Sequence, residues 1–397
     1  MSATLPLRIT AHSVACAAGV GVAALEASLR ARRSGLRPND FTEAPLATWI
    51  GRVPGVEGAA LPAHLAEWEC RNNRLAWLAL QSDGFLARAL SARDRYGAGR
   101  IALVLGTSTS SIGATEEAYR RLQPDGLYPE DLRRPIVHTP HSLGDFVRAA
   151  LGLDGIAVTV GTACSSSAKV FAQAERLMRL GLADAAIVGG VDSLCGSVLF
   201  GFNSLELVSP EPCRPFDVAR RGISIGEGGG FALLERDGDR GPWLIGYGES
   251  SDAHHMSSPH PLGLGARLAI ETALAGAGLN PDAVDYINLH GTASQRNDEV
   301  EARLVADLFP ATTRASSTKG WTGHTLGAAG VVEAVIAFIA METGLAPGTL
   351  NTRDLDPAAG AQVRIDNEQA HVRIALSNSF GFGGSNCSLL FARDRHG

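Results

Sequence analysis

The sequence predicts an α/β protein made of two similar halves, and three observations lead there. Short runs rich in β-branched residues alternate with stretches of helical periodicity. Two distant segments, GEGGGFALLERD (226–237) and GFGGSNCSLLFARD (381–394), each run from clustered glycines into an apolar strand that closes on Arg-Asp. A third segment, LGAAGVVEAVIAFIAME (326–342), is almost wholly apolar and needs cover on every side.

In chain order, IALVLGTS (101–108) and IAVTVGTA (156–163) read as strands. Residues 168–180 read as a helix, with Val170, Phe171, Ala174, Leu177 and Met178 at 3.6-residue spacing, and AAIVGG (185–190) resumes a strand. DYINLHGT (285–292), an amphipathic helix over 299–309 and the apolar helix over 326–342 repeat the theme. That last helix is too short and glycine-rich for a membrane span and is read as a core helix between sheets. No long Pro/Ser linker intervenes, so residues 1–245 and 246–397 are read as halves of one pseudo-symmetric unit, joined through 238–260.

With 397 residues, 45% of them hydrophobic, the chain can build a large core. A net charge of −6 argues against a nucleic-acid surface and a polybasic membrane anchor. The N-terminal residues lack a signal-peptide pattern, and the expected location is the cytoplasm. Six cysteines without a CxxC pair argue against a zinc site and a disulfide framework.

In VTVGTACSSSAKVFAQAERL, Cys164 lies where a predicted strand gives way to a predicted helix, flanked by small residues that let a substrate approach. A helix N-terminus presents free N–H groups and partial positive charge, which lower a thiol pKa from about 8.5 and stabilise an oxyanion. A buried structural cysteine is the alternative. His290 follows YINL, and His324 opens the predicted helix in STKGWTGHTLGAAG. Both stand at element ends, where functional groups gather, although a lone histidine is more often simply packed or solvated.

Six ordered blocks span nearly the whole chain: GTACSSSAKV around Cys164, RPFDVARRGISIGEGGG, SDAHHMSSPHP, HGTASQRNDEVEA around His290, STKGWTGHTLGAAGVVEA with Lys319 and His324, and NSFGFGGSNCSLL. Together they resemble the β-ketoacyl-acyl-carrier-protein synthases of the thiolase superfamily, in the elongating Cys-His-His class. The resemblance implies a duplicated five-layer αβαβα fold and an acyltransferase that condenses a malonyl thioester, with loss of carbon dioxide, onto an acyl chain held by Cys164. It implies that His290 and His324 assist that step, and that the backbone N–H groups of Cys164 and Phe382 form an oxyanion hole. It pairs Lys319 with Glu301 to orient His324. It assigns Thr292 and Ser294 to the phosphopantetheine arm of an acyl carrier protein, and Phe202 and Phe382 to a gate.

Departures from the family pattern fall at two places. The chain reads Arg220-Arg221-Gly222-Ile223 where an aromatic residue commonly follows Arg-Asp-Gly, which puts the malonyl-side gate at Ile223 in doubt. Thr109, in GTSTSS, stands where a bulkier apolar residue often gates the acyl pocket, so a different chain is expected. The block CRPFDVARRGISIGE looks like that of aryl-polyene-type synthases. Arg71 and Arg74, in CRNNRLAWLAL, resemble the carrier-facing helix of the family, a solvated helix face being the alternative.

The resemblance implies no metal and no cofactor beyond the carrier's arm, and a dimer with an identical subunit or a chain-length factor. The histidines of DAHHMSSPH are discounted as metal ligands, and the glycine clusters precede strands where a phosphate loop would open a helix. A chain-length-factor subunit, the strongest competing reading, typically lacks the cysteine. A degradative thiolase would carry a second cysteine motif where NSFGFGGSN stands, and an initiating synthase would replace the second histidine by asparagine.

Overall fold

The computed structural model describes residues 3–238 and 241–395. Ten strands carry the fold: β1 (Leu7–Cys16), β2 (Ile101–Gly106), β3 (Ala157–Val160), β4 (Ala185–Asp192), β5 (Gly228–Glu235), β6 (Trp243–Ser251), β7 (Tyr286–Asn288), β8 (Arg314–Ser316), β9 (Ile374–Gly381) and β10 (Ser385–Ala392). They bond in the order β8-β7-β9-β10-β6-β1-β5-β4-β2-β3, with the short strand Gly19–Val20 paired to β1. Counted within its own half, each set of five reads 3-2-4-5-1 from the outer edge inward. In both, strands 3, 2 and 4 are parallel and strand 5 is antiparallel to its neighbours. The halves meet where β1 and β6 pair, Leu7 opposite Leu244 and Arg8 opposite Trp243. The repeat therefore opens at Trp243, and a boundary between residues 245 and 246 cuts β6.

Strands β2, β4, β5 and β9 bury both faces, which is why they read as apolar runs, while β3 at the edge is partly exposed. Ala102 and Val104 of β2 point to a central apolar cluster, while Ile101, Leu103 and Leu105 point to an outer one. In β10, Leu389 and Phe391 face the same central cluster, and Leu390 and Ala392 face a third. Seven helices fill the space between and outside: α1 (Arg71–Gln81), α2 (Phe85–Tyr96), α3 (Ser142–Leu151), α4 (Ser166–Arg179), α5 (Leu264–Ala277), α6 (Gln295–Leu308) and α7 (Ala329–Thr343). Helices α4 and α7 form the middle layer, with Phe171, Met178, Val335 and Phe338 in the central cluster. Helices α1 to α3 cover the first half-sheet through Leu75, Phe85 and Phe146. Helices α5 and α6 cover the second through Ile270, Leu274 and Val305. The layers run αβαβα.

The middle layer is tight because of one small residue. A Cβ on Gly330 of α7 would lie 2.4 Å from the backbone nitrogen of Ala168 in α4, so only glycine lets the two helices touch there. The segment Leu326–Thr343 is apolar and long enough to cross a bilayer, yet 89% of it is buried inside the protein, as expected of a core helix. The outer helices α2, α3 and α5 escaped the sequence reading, whereas α1 coincides with the helix read in CRNNRLAWLAL. Each buries one face and leaves the other to solvent.

Candidate active site

Strand β3 ends at Val160, a single turn spans Ala163–Ser165, and α4 begins at Ser166. Ala163 holds φ 51°, a conformation costly for a residue with a Cβ, and this sharp corner turns Cys164 out of the strand direction. The thiol is 4% exposed. Burial pushes it up to about 12, against the pull of the Lys319 charge and of the Phe382 N–H donated to the sulfur. Desolvation is the largest influence on this thiol, and it acts opposite to the lowering expected of a helix N-terminus.

His290 follows β7 by two residues, and His324 lies in the link between the short helix Lys319–Thr322 and the turn Leu326–Ala328, just short of the helix it was expected to open. Its Nε2 stands 2.9 Å from Cys164 Sγ, and the two imidazoles meet edge to face with centroids 5.4 Å apart. The sulfur and both histidines have ligating atoms within 4.8 Å of one another. Burial first, then the Lys319 charge, hold both imidazoles well below the usual value, so each is neutral at pH 7 and each has one N–H to give. Three elements from both halves thus place a thiol, an imidazole in contact with it and a second neutral imidazole around one point, an arrangement suited to nucleophilic chemistry.

The expected Lys319–Glu301 ion pair is absent. Lys319 Nζ bonds Glu333 of α7 and the carbonyl of His290. Glu301 of α6 instead accepts the backbone N–H groups of His290 and Gly291, each at 2.8 Å, and the side-chain amide of Asn378 at 3.2 Å. Glu301 therefore fixes the turn carrying His290, while Glu333 neutralises the lysine beneath both imidazoles. The sequence reading missed Glu333, although a lone carboxylate inside GVVEAVIAF had to find a cation. It also missed Asp192 at the end of β4, which accepts hydrogen bonds from the backbone and side chains of Ser108 and Thr109, the Thr107 hydroxyl and the Gly327 N–H.

A cavity of about 400 Å³ leads from Cys164, His290 and His324 to the surface. Phe202, Ile223, Thr292, Ser294 and Phe382 all line it, and the rings of Phe202 and Phe382 stack at 5.4 Å. Thr109 does not. Its hydroxyl and backbone N–H are spent on Asp192, and it lines a second cavity of about 550 Å³ that includes Ala163, the residue before the thiol. Arg71 and Arg74 present no free charge: Arg71 grips the fully buried Glu227 and also Glu57, and Arg74 bonds Glu69. Arg71 is thus a half-buried strut, and Arg74 is a more exposed cation already paired with Glu69.

Comparison with known proteins places this geometry. The family description "Beta-ketoacyl synthase, N-terminal domain" matches residues 72–240, and "Beta-ketoacyl synthase, C-terminal domain" matches residues 243–353. Nodulation protein E of Rhizobium meliloti (strain 1021) is 31% identical over 398 residues, covering 96% of this chain and 98% of that protein. The mitochondrial 3-oxoacyl-acyl-carrier-protein synthase of Arabidopsis thaliana is 41% identical over 253 residues, which are 58% of this chain but 55% of the relative's length. A chain of the complex of the ketosynthase ApeO with its chain length factor ApeC, from Xenorhabdus doucetiae, superposes with TM-score 0.90 at 36% identity over 98% of both chains. With matches running through both halves and a buried Cys-His-His group at their junction, the chain belongs to the β-ketoacyl synthase family of condensing acyltransferases.

Proposed function

We propose that this synthase elongates an acyl chain held as a thioester on Cys164, using malonyl units delivered on the phosphopantetheine arm of an acyl carrier protein. The contact that carries the reading is His324 Nε2 at 2.9 Å from Cys164 Sγ, with the Phe382 N–H on the same sulfur. In the loading step the imidazole takes the thiol proton and the sulfur attacks the acyl thioester. The oxyanion lies between the N–H groups of Cys164 and Phe382, and the arm's thiolate leaves with the proton. In the second step the malonyl carboxylate departs as carbon dioxide, and the bond's electron pair becomes an enolate whose oxygen takes hydrogen bonds from His290 and His324. The enolate carbon attacks the Cys164 thioester, a carbon-carbon bond forms, and the cysteine thiolate is expelled. No group beyond the carrier's arm is required for either step.

The pathway proposed is of the aryl-polyene type, in the cytoplasm, with a second ketosynthase-fold chain acting as chain length factor. The CRPFDVARRGISIGE block supports the pathway, and the likeness to a chain of the ApeO–ApeC complex supports pairing with a chain length factor. A chain-length-factor role for this chain itself is disfavoured by a complete Cys-His-His group held in contact. The test is intact-mass analysis of the protein after incubation with acyl-loaded carrier proteins, followed by addition of malonyl carrier protein. An acyl adduct that maps to Cys164 and is discharged as an elongated product is the expected result. No adduct with any acyl chain, alone or with a partner chain present, would remove the reading.

A further inference from the structure

The proposed docking arginines being engaged elsewhere, the cations at the mouth of the Cys164 cavity are Arg221 and Arg296. We infer that these two side chains hold the phosphate at the far end of the pantetheine arm, and that Arg221 sets the preference of this synthase for phosphorylated arms; the inference rests on the condensing reaction proposed above.

The backbone places both at one opening. Arg220 is buried, and its guanidinium bonds the Asp217 carbonyl, Asp356 and, at 2.9 Å, the carbonyl of Gln295 at the start of α6. That clasp ties the 220–222 segment to the first turn of α6, so that Arg221 and Arg296, each next to a clasped residue, flank the same rim. Gly222, at φ 118°, turns the chain back: a Cβ there would lie 2.3 Å from the Leu207 carbonyl oxygen, so the segment sits flat against the cavity wall. Both arginines are exposed, Arg296 with 79% of its side chain accessible, while Cys164, His290 and His324 at the other end are buried.

Counter-charge at the rim is incomplete. Two acids line the cavity, and Asp252 is already taken by the side-chain amide of Asn386 and the N–H of His260. Glu206 forms no ion pair with either arginine, and Arg296 touches Glu299 only at 3.6 Å. Arg221 has no hydrogen bond or carboxylate partner among the described residues, which leaves its guanidinium fork open for a bidentate anion. The hydroxyls of Thr292 and Ser294, 3.0 Å apart inside the rim, line the way inward beneath a group so held. A phosphate fits this end of the cavity and a second carboxylate does not distinguish it, because the arm that reaches the thiol carries its charge at the opposite end from its sulfur.

The experiment compares kcat/KM for malonyl-phosphopantetheine and malonyl-pantetheine, which differ by that phosphate alone, in the acyl-loaded wild type, in Arg221→Glu and in Arg221→Glu/Arg296→Glu, with Arg221→Gln and melting temperature as controls for folding. The wild type should favour the phosphorylated donor roughly five- to ten-fold through KM, as expected for exposed ion pairs, with the preference falling as salt is raised. Arg221→Glu should erase or invert it, and malonyl-carrier protein and malonyl-coenzyme A should show the same loss. Equal activity on both donors in the wild type, or a preference surviving in the double variant, overturns the inference. So does a loss confined to the carrier protein, which would place the arginines against the carrier's surface. If the wild type condenses none of these donors, the failure belongs to the condensing reading.

Discussion

Cys164 shows how far a single residue depends on its contacts. A thiol pushed up to about 12 is almost wholly protonated at pH 7, and the imidazole in contact with it is His324. Cys164→Ala should therefore show no acyl adduct by intact mass, yet still release carbon dioxide from malonyl carrier protein, since both imidazoles remain. His290→Ala should load Cys164 normally and lose condensation by 10²-fold or more, as expected for a lost oxyanion donor. Loss of both steps in that variant would mean the site had collapsed. Beneath them, Lys319 and Glu333 form a fully buried pair. Glu333→Leu leaves the ammonium alone and should cost about 3 to 5 kcal/mol in urea denaturation, whereas Lys319→Met/Glu333→Leu should recover most of it while condensation stays impaired.

At the level of elements, two contacts decide where the catalytic groups stand. Gly330→Ala should force α7 away from α4 and cost about 1 to 3 kcal/mol, read as a lowered melting temperature; an unchanged melting point would mean the middle layer tolerates separation. Glu301 joins α6 to the turn after β7, and burial raises its carboxyl from 4.5 to about 7. The folded protein then holds a proton that the unfolded chain has released, so between about pH 4.5 and 7 this group makes stability fall as pH rises, with no further change above. Glu301→Gln should flatten that slope in denaturation measured across the range. The strands β2, β3 and β4 and helix α4 lie close to where their periodicity places them; β2 and β4 are buried on both faces and the helix along a wide one, while β3 is a partly exposed edge strand. The Lys319 partner was misassigned because spacing along the chain says nothing about which of two acids on different helices, Glu301 or Glu333, faces the lysine.

Across the whole molecule, neither half is self-sufficient: α4 and α7 share one apolar cluster, β1 pairs β6, and the thiol comes from one half while both imidazoles come from the other. Residues 1–242 and 243–397 expressed separately should fail to give dispersed, cooperative folding, with recovery only on co-expression; two independently folded fragments would refute a shared core. The sequence by itself determined the α/β class and the duplication, because periodicity and repeated closing motifs are local and survive in one dimension, while Cys164, His290 and His324 are singled out only through the resemblance of six ordered blocks to a known family. Tertiary structure alone decided that Lys319 meets Glu333, that Thr109 turns to Asp192 away from the Cys164 cavity, that Arg71 is a half-buried strut on Glu227, and that burial raises the thiol. Each depends on a distance between segments far apart in the chain, and on the water excluded when they close.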